Sequence, residues 1–437
     1  MEEEKKKEQM IKKANDIWEN ELKEPFSNFM NQKQEEILNG LEKGLNGIDD
    51  SIKKYIQVLD QKLDEKKNIK NNYEDDDKIL RKKEIDYQNL KEPNLVYLSF
   101  LQNTNPLINV ILQCLSNIDY LAMYYLNPAK EEKILKKSKD DPNNTYLGPS
   151  FLTLLDHLWK SQHKEYAPQE IHNILKKLMM NNYNTNDASI IINFILNKLS
   201  EELNFNQNKN YNIEQDNPYD IYDGGKIMDK FIENFLANKT QISDTFFSSI
   251  KIKKKCLNCN AKNEYYYETT PSINLYLEEN NNNCDYPQKL SLEEDFAILL
   301  NDKDQEFGIE NCIICAGIQQ KYITKSVSST SGILIIVINR DKDPNNTIYF
   351  KYPEKFDAKE KINSKMIKSQ NYELRAVIKK NKNNNNNFEY TAFYKHYIDN
   401  NWYLYNNQKI MLAQNDYKYY VFDEKNAYVL IYNQIKN

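Results

Sequence analysis

An α+β fold is what the sequence predicts, and three observations predict it. Helical apolar patterning runs from about residue 105 to about residue 203, and strand-like runs of Ile, Val, Tyr and Phe begin beyond about residue 240. Two C-x-x-C pairs sit among those strands. The chain has 437 residues, 40% of them apolar, with 32 tyrosines and 17 phenylalanines, enough to bury a sizeable core. Its 59 basic residues nearly balance 64 acidic ones. That balance gives no general attraction to nucleic acid or to an anionic bilayer, so neither is an expected partner. MEEEKKKEQM is too charged for a secretion signal, and the longest apolar stretch, Gly332 to Ile338, is far short of a membrane span. An intracellular protein of the nucleus or cytoplasm is expected.

Taken in order, residues 1–88 read as a charged helical N-terminal extension. Leu38, Leu41, Leu45, Ile48, Ile52, Tyr55 and Leu59 recur at steps of three and four, which makes an apolar stripe. That stripe fits either a short coiled coil or an amphipathic helix packed on the main domain. Gly40, Gly44 and Gly47 weaken it by roughly 1 kcal/mol each. Asn71–Asp77 reads as a linker. From Pro93 the texture changes. Asn105-Pro106 before LINVILQCLSNI is a helix start, because asparagine caps and proline needs no N–H at the first helical position. That helix is apolar on nearly every side and therefore buried, with Cys114 inside it as a small core hydrophobe. Further helices are expected near Gly148–Trp159, Pro168–Met179 and Ala188–Leu203. Antiparallel strands are expected near Phe246–Lys253, Glu264–Leu277, Lys321–Val327, Gly332–Asn339, Tyr372–Ile378, Tyr390–Tyr397, Trp402–Tyr405 and Ala427–Tyr432. The asparagine runs at 280–283 and 383–387 read as loop expansions.

Cys256 and Cys259 form one knuckle and Cys312 and Cys315 another, separated by 52 residues. A two-residue spacer lets both sulfurs of a pair face one ion, so a structural Zn²⁺ with four cysteine ligands is expected. Two reduced buried pairs, or a redox-active pair, are the alternatives. Cys284 lies outside the pattern.

The order of motifs resembles the ubiquitin-specific proteases. YLSFLQNTNPLINVILQCL, residues 97–115, is similar to that family's opening GLxNLGNTCYMNSVLQCL. DASIIINFILNKLSEEL from Asp187, ISDTFFSSIKIKKKCLNC, GILIIVINRD, YELRAVI, EYTAFY, WYLYNN and AYVLIYNQI follow the later boxes in the same order. The resemblance covers residues 93–434 and implies a papain-like cysteine protease fold. Its thumb would span about 93–240 and its fingers and palm about 241–434, with zinc at the fingertips and ubiquitin resting on palm and fingers.

Such a protease needs a thiolate nucleophile, an imidazole base and a third group that orients it. The matching positions here carry other residues. The nucleophile falls on Asn105 or Pro106, the base on Glu389, and the oxyanion-side donor on Phe100 or Leu101. The orienting residue matches Asn406 or Asn407, and Ser189 and Ile190 replace the acidic pair after DA. The expectation is a pseudoprotease without catalytic residues. It would serve as a scaffold or adaptor for protein partners in a larger assembly, such as the RNA-processing complexes in which inactive relatives occur. A noncatalytic module binding ubiquitin or a ubiquitin-like protein is the second reading. An active protease using other residues is the third.

Overall fold

The computed structural model describes residues 95–99, 101–139, 145–160, 163–204, 220–259, 263–277, 289–292, 304–340, 348–358, 371–382, 387–407, 409–413 and 417–435. The expected extension over 1–88 lies outside these, as do Phe100 and Cys284.

Strand β1 (Tyr97–Leu98) leads into helices α1 (Pro106–Ser116), α2 (Asp119–Tyr125), α3 (Pro128–Lys139) and α4 (Leu147–Lys160). Strand β2 (Glu165–Tyr166) pairs in parallel with β1. Then come α5 (Gln169–Met179), α6 (Ala188–Leu203), α7 (Gly224–Ala237) and α8 (Gln241–Phe246). The strands that follow are β3 (Ser248–Cys256), β4 (Glu264–Thr270), β5 (Ser272–Tyr276), β6 (Lys289–Ser291), β7 (Asp304–Cys312), β8 (Gly317–Ser329) and β9 (Ile333–Asn339). β10 (Tyr349–Lys351), β11 (Lys355–Asp357), β12 (Asn371–Lys382), β13 (Phe388–Lys395), β14 (Trp402–Tyr405) and β15 (Ile410–Leu412) precede a short helix α9 (Tyr417–Val421) and the last strand, β16 (Ala427–Ile435).

Two sheets carry the architecture. The palm sheet runs β15-β14-β13-β12-β16-β9-β5 with β11 against β12, and the fingers sheet runs β4-β3-β8-β7. The expectation of antiparallel strands needs correcting at β5, which joins β9 in parallel. The expected strand Glu264–Leu277 is two strands, since Pro271, with no N–H for a ladder, stands where the chain leaves one sheet for the other. Strand β7 has no counterpart among the expected strands. It is charged and polar, and as an edge strand it keeps Phe307 and Ile309 exposed on one face.

Strand β9 shows how the palm is buried. ILIIVIN is apolar at almost every position because both faces are covered. Ile333, Ile335 and Val337 enter the core shared with the thumb helices, while Leu334, Ile336 and Ile338 enter a second core on the far side.

Thumb and palm are tied by buried polar contacts as well. The Tyr405 hydroxyl lies 2.7 Å from the Leu98 carbonyl. At the start of α6, the Ala188 amide donates to the Tyr428 hydroxyl at 2.8 Å, and that hydroxyl donates to the Asn186 carbonyl at 2.6 Å. These contacts hold β1 and the N-terminus of α6 against palm strands β14 and β16.

Within the thumb, Glu202 on α6 caps a neighbouring helix. Its carboxylate accepts from the amides of Leu147 and Gly148, at 2.8 and 2.7 Å, where α4 begins. A methyl group on Gly148 would meet Glu202 Oε2 at 3.1 Å, so glycine is what lets the carboxylate close in. Glu202→Ala should leave two buried amides unpaired and cost about 2–3 kcal/mol. The midpoint of urea unfolding, at an unchanged m value, measures it.

Candidate functional site

The N-terminus of α1 is where the resemblance puts the nucleophile. Asn105 is buried there, with extended backbone (φ −79°, ψ 114°), and its Oδ1 accepts from the Leu107 amide at 3.0 Å. Its Nδ2 donates to the carbonyls of Tyr183 and Thr185, at 2.9 and 2.8 Å. Oxygen and nitrogen are both engaged, so the side chain fastens the helix to the loop ahead of α6. Pro106 follows as the first helical residue. Leu101 turns its carbonyl to the Thr104 amide and hydroxyl, at 3.2 and 2.6 Å. Ser189 packs into the start of α6, hydrogen bonded to the cap Asp187, and Ile190 is exposed.

Glu389 lies exposed on β13, opposite Asn381 of β12. Asn407 lies just beyond β14 in the left-handed region (φ 65°). Its Nδ2 donates to the carbonyl of Tyr390, the residue after Glu389, at 3.4 Å, and its Oδ1 accepts from the Tyr405 hydroxyl at 3.0 Å. The fold therefore brings Asn407 beside the Glu389 strand. Asn406 instead closes its own turn, accepting from the Lys409 amide at 3.2 Å.

Behind α1 is a polar chain that sequence reasoning missed. Asn109 Nδ2 donates to the Ser99 carbonyl at 3.2 Å, which leaves its Oδ1 to accept from His172 Nε2 at 2.7 Å. His172 Nδ1 then accepts from the Tyr183 hydroxyl at 2.7 Å, and the Tyr183 oxygen accepts from the Asn105 amide at 3.4 Å. Every member is satisfied only when the imidazole is neutral. Burial, with Lys176 adding to it, pushes His172 down to about 4. The signal available in the sequence was Asn109, a polar residue inside an otherwise apolar helix.

The other cysteines and histidines have their own places. Cys114 is buried in α1, where desolvation raises its thiol far above the usual range. His157 bonds the Thr153 carbonyl at 2.8 Å. His396 closes the turn after β13, its Nδ1 accepting from the Ile398 amide at 3.3 Å.

At the fingertips the two expected knuckles converge. Cys256 ends β3 and Cys312 ends β7, so each pair occupies the tip of a hairpin at the same end of the sheet. Cys256 Sγ is 3.8 Å from Cys315 Sγ, Cys259 Sγ is 3.7 Å from Cys312 Sγ, and all four sulfurs lie within 4.8 Å of one another. Zn–S bonds of about 2.3 Å in a tetrahedron require sulfurs about 3.8 Å apart, so the set fits zinc. The Cys315 amide donates to Cys312 Sγ at 3.5 Å, and Ala316 takes the left-handed backbone (φ 52°) that turns the chain into β8. Amide donors at Cys259 and Asn258 lower the Cys256 thiol to about 7, while neighbouring sulfurs, led by Cys259, and burial push Cys315 up to about 12. One thiolate thus opposes the next, and a divalent cation would remove that cost. Beneath the knuckles Lys321 is buried against both oxygens of Glu264, at 2.8 and 2.7 Å.

A helical thumb docked on a mixed palm sheet, with a four-cysteine finger sheet beyond it, defines the hand of a ubiquitin-specific protease. The family profile described as "Ubiquitin carboxyl-terminal hydrolase" matches residues 101–432, and this chain belongs to that family. "Ubiquitin carboxyl-terminal hydrolase 4" of Rattus norvegicus is 27% identical over 172 residues, 38% of this chain and 17% of the rat protein. The chain thus matches under a fifth of that relative's length. Among solved structures, "Structure of the SAGA Ubp8/Sgf11/Sus1/Sgf73 DUB module bound to ubiquitin aldehyde" shares the fold at a TM-score of 0.53 and 15% identity, over 83% of this chain and 75% of that one. The same module with Ubp8(S144N) gives 0.51 and 16%, over 78% and 68%.

Two outcomes test this geometry. Chelation, or Cys256→Ser, should unfold the fingertips while leaving the thumb–palm unit folded, because metal binding energy is local folding energy. Hydrogen exchange should rise over β3, β4, β7 and β8 alone, and one zinc per chain should be lost. For His172, the folded pKa lies below the ordinary value of 6.5. Its contribution is fully present above 6.5 and is lost as pH falls toward 4, because the unfolded chain binds the proton first. Between pH 7 and pH 5 this should remove about 2 kcal/mol. His172→Gln should flatten that slope in urea titrations run at each pH.

Proposed function

We propose that this chain is a noncatalytic member of its family, an adaptor that presents a ubiquitin-specific-protease surface to protein partners in a larger assembly. The observation that carries this reading is the state of Asn105. The residue matched to the nucleophile has no thiol, and its amide is fully engaged in capping α1 and bonding the carbonyls of Tyr183 and Thr185. Glu389 at the base position supports the same reading, since the imidazole that activates the cysteine in this class of protease is absent there. Of the two residues matched to the orienting position, Asn407 bonds Tyr405 and Tyr390 and Asn406 accepts from the Lys409 amide. Membership in an assembly is supported by the solved relatives, which are parts of a four-protein module. An RNA-processing complex is the kind of assembly this reading favours. The reduced thiol cluster suits a nuclear or cytoplasmic setting.

The second reading, a noncatalytic ubiquitin-binding module, is favoured by the relative bound to ubiquitin aldehyde. A titration with ubiquitin separates the two.

The purified chain should release no fluorophore from a ubiquitin conjugate. Asn105→Cys should also fail, because the restored thiol still has no imidazole to activate it, and a missing oxyanion donor alone costs roughly 10²–10³ in rate. That substitution should further lower stability by about 1–3 kcal/mol through the lost cap and the two orphaned carbonyls. Adding Glu389→His should recover at most a trace. Turnover by the unmodified chain, abolished by a point substitution, would overturn the proposal.

A further inference from the structure

Helix α7 was not among the expected helices, and none of its residues is fully buried. Ile227, Phe231 and Phe235 recur at steps of four on its half-buried side. The rings of Phe231 and Tyr267 lie 5.5 Å apart, and a methyl group on Gly224 would meet the Tyr265 ring at 3.3 Å. The helix therefore lies along β4, the terminal strand of the fingers sheet. The 3-10 turn Asp220–Tyr222 precedes it, anchored by Lys230 Nζ on Asp220 at 3.0 Å. The Tyr222 hydroxyl is buried, and burial, with the Glu264 carboxylate nearby, pushes it up to about 12. Glu264 alternates with Tyr265 along β4 and so points to the opposite face of the sheet. The segment thus wraps the open edge of β4, with Tyr222 on one side and α7 on the other.

The face under α7 is the one turned to the thumb. Tyr265, Tyr267 and Thr269 pair with Lys253, Lys251 and Ser249 on that side. At its base is a cavity of about 320 Å³ whose lining includes Phe231, Phe235, Phe247, Ser249, Thr269 and Ser329. Phe247 packs against the thumb core, whereas Ile250 and Val327, on the opposite face, join the far-side core. A globular protein whose extended tail reached Asn105 and Glu389 between thumb and palm would rest its body on the thumb-facing side of the fingers.

We infer that Asp220–Ala237 is a resident strap over the thumb-facing surface of the fingers, and that a ubiquitin-sized partner seats there only once the strap lifts. This rests on the second reading above, and it supplies the regulation of that surface. Lifting needs little reorganisation, since no strap residue is fully buried and Ile232 and Leu236 are already 37% and 50% exposed. Beyond the strap the same face carries Phe307, Ile309 and Ile318 at 65%, 78% and 74% exposure, an apolar margin onto which such a partner would extend.

The test places a thiol under the strap by Thr269→Cys in the full chain and follows its alkylation by a bulky maleimide, read on the peptide containing position 269. Phe231→Asp with Phe235→Asp should lift the strap and speed labelling at least about tenfold. Monoubiquitin should then slow labelling in the lifted chain and leave the parent rate unchanged. Equal rates in the two chains would show that the strap covers nothing. Equal ubiquitin protection in both would show that the partner seats with the strap in place. Faster labelling without ubiquitin protection would overturn the partner assignment, while the noncatalytic reading, measured by turnover, would stand. Zinc content and circular dichroism check the fold. Should the double substitution not fold, replacing residues 224–237 with a Gly/Ser linker of equal length repeats the comparison, since α8 carries its own capping box at Thr240 and Ser243.

Discussion

A buried helix N-terminus has to satisfy its first amides without water, and α1 meets that constraint against the palm. In a working cysteine protease the same dipole end stabilises a thiolate, which must stay exposed and poorly bonded to react. Here an asparagine amide meets it with one acceptor toward the helix and two donors toward the loop between α5 and α6. Much else in the thumb is organised by that choice. The Asn105 backbone amide passes to Tyr183, Tyr183 to His172, and His172 to Asn109 one turn into α1, so the polar chain returns to the helix it starts from. Such a closed network is rigid and intolerant of an added proton.

The fingers meet a different constraint. A four-stranded sheet with half-exposed faces has little core of its own, and its described contacts include lysine–glutamate pairs and aromatic rings, with Ile250 and Val327 joining the far-side core near its base. Two devices compensate. Strands β4 and β8 continue into palm strands β5 and β9 through residues 271 and 330–332, so the palm sets the base of the sheet. The four thiols, gathered at the far end, fix the hairpin tips. The Lys321–Glu264 pair between them is 2–3% exposed, where an ion pair is held by geometry more than by net energy.

Much of this was legible in the residues. The α1 cap was, because Asn-Pro before an apolar run has one economical reading. Helix α6 begins and ends where its pattern does, and the knuckles converge as C-x-x-C spacing requires. What was not legible has physical reasons. Strand β7 is an edge strand with a polar pattern, and α7 is a helix whose apolar side is half-buried against Tyr267 and a partly open cavity, so neither shows the contrast that burial imposes. The break at Pro271 was hidden because both halves of 264–277 are good strands, and only the change of sheet reveals the joint. His172 was invisible because its two ring partners, Asn109 and Tyr183, come from α1 and the turn after α5, a juxtaposition that no local spacing records.

The candidate centre and the cap are one object, and this decides how far substitution can reach. A thiol at position 105 gains the helix dipole but removes both donors to Tyr183 and Thr185, so the loop that positions α6 loses its anchor on α1 as the nucleophile appears. Asn186, one residue beyond Thr185, also accepts from Tyr390 at 3.2 Å, beside Glu389. Loosening that loop therefore disturbs the strand that would have to supply the base. Restoring chemistry at one position degrades the geometry at the other. Reactivity at this helix end requires the loop to be held to α1 by something other than the residue that reacts, and in this chain Asn105 makes that link.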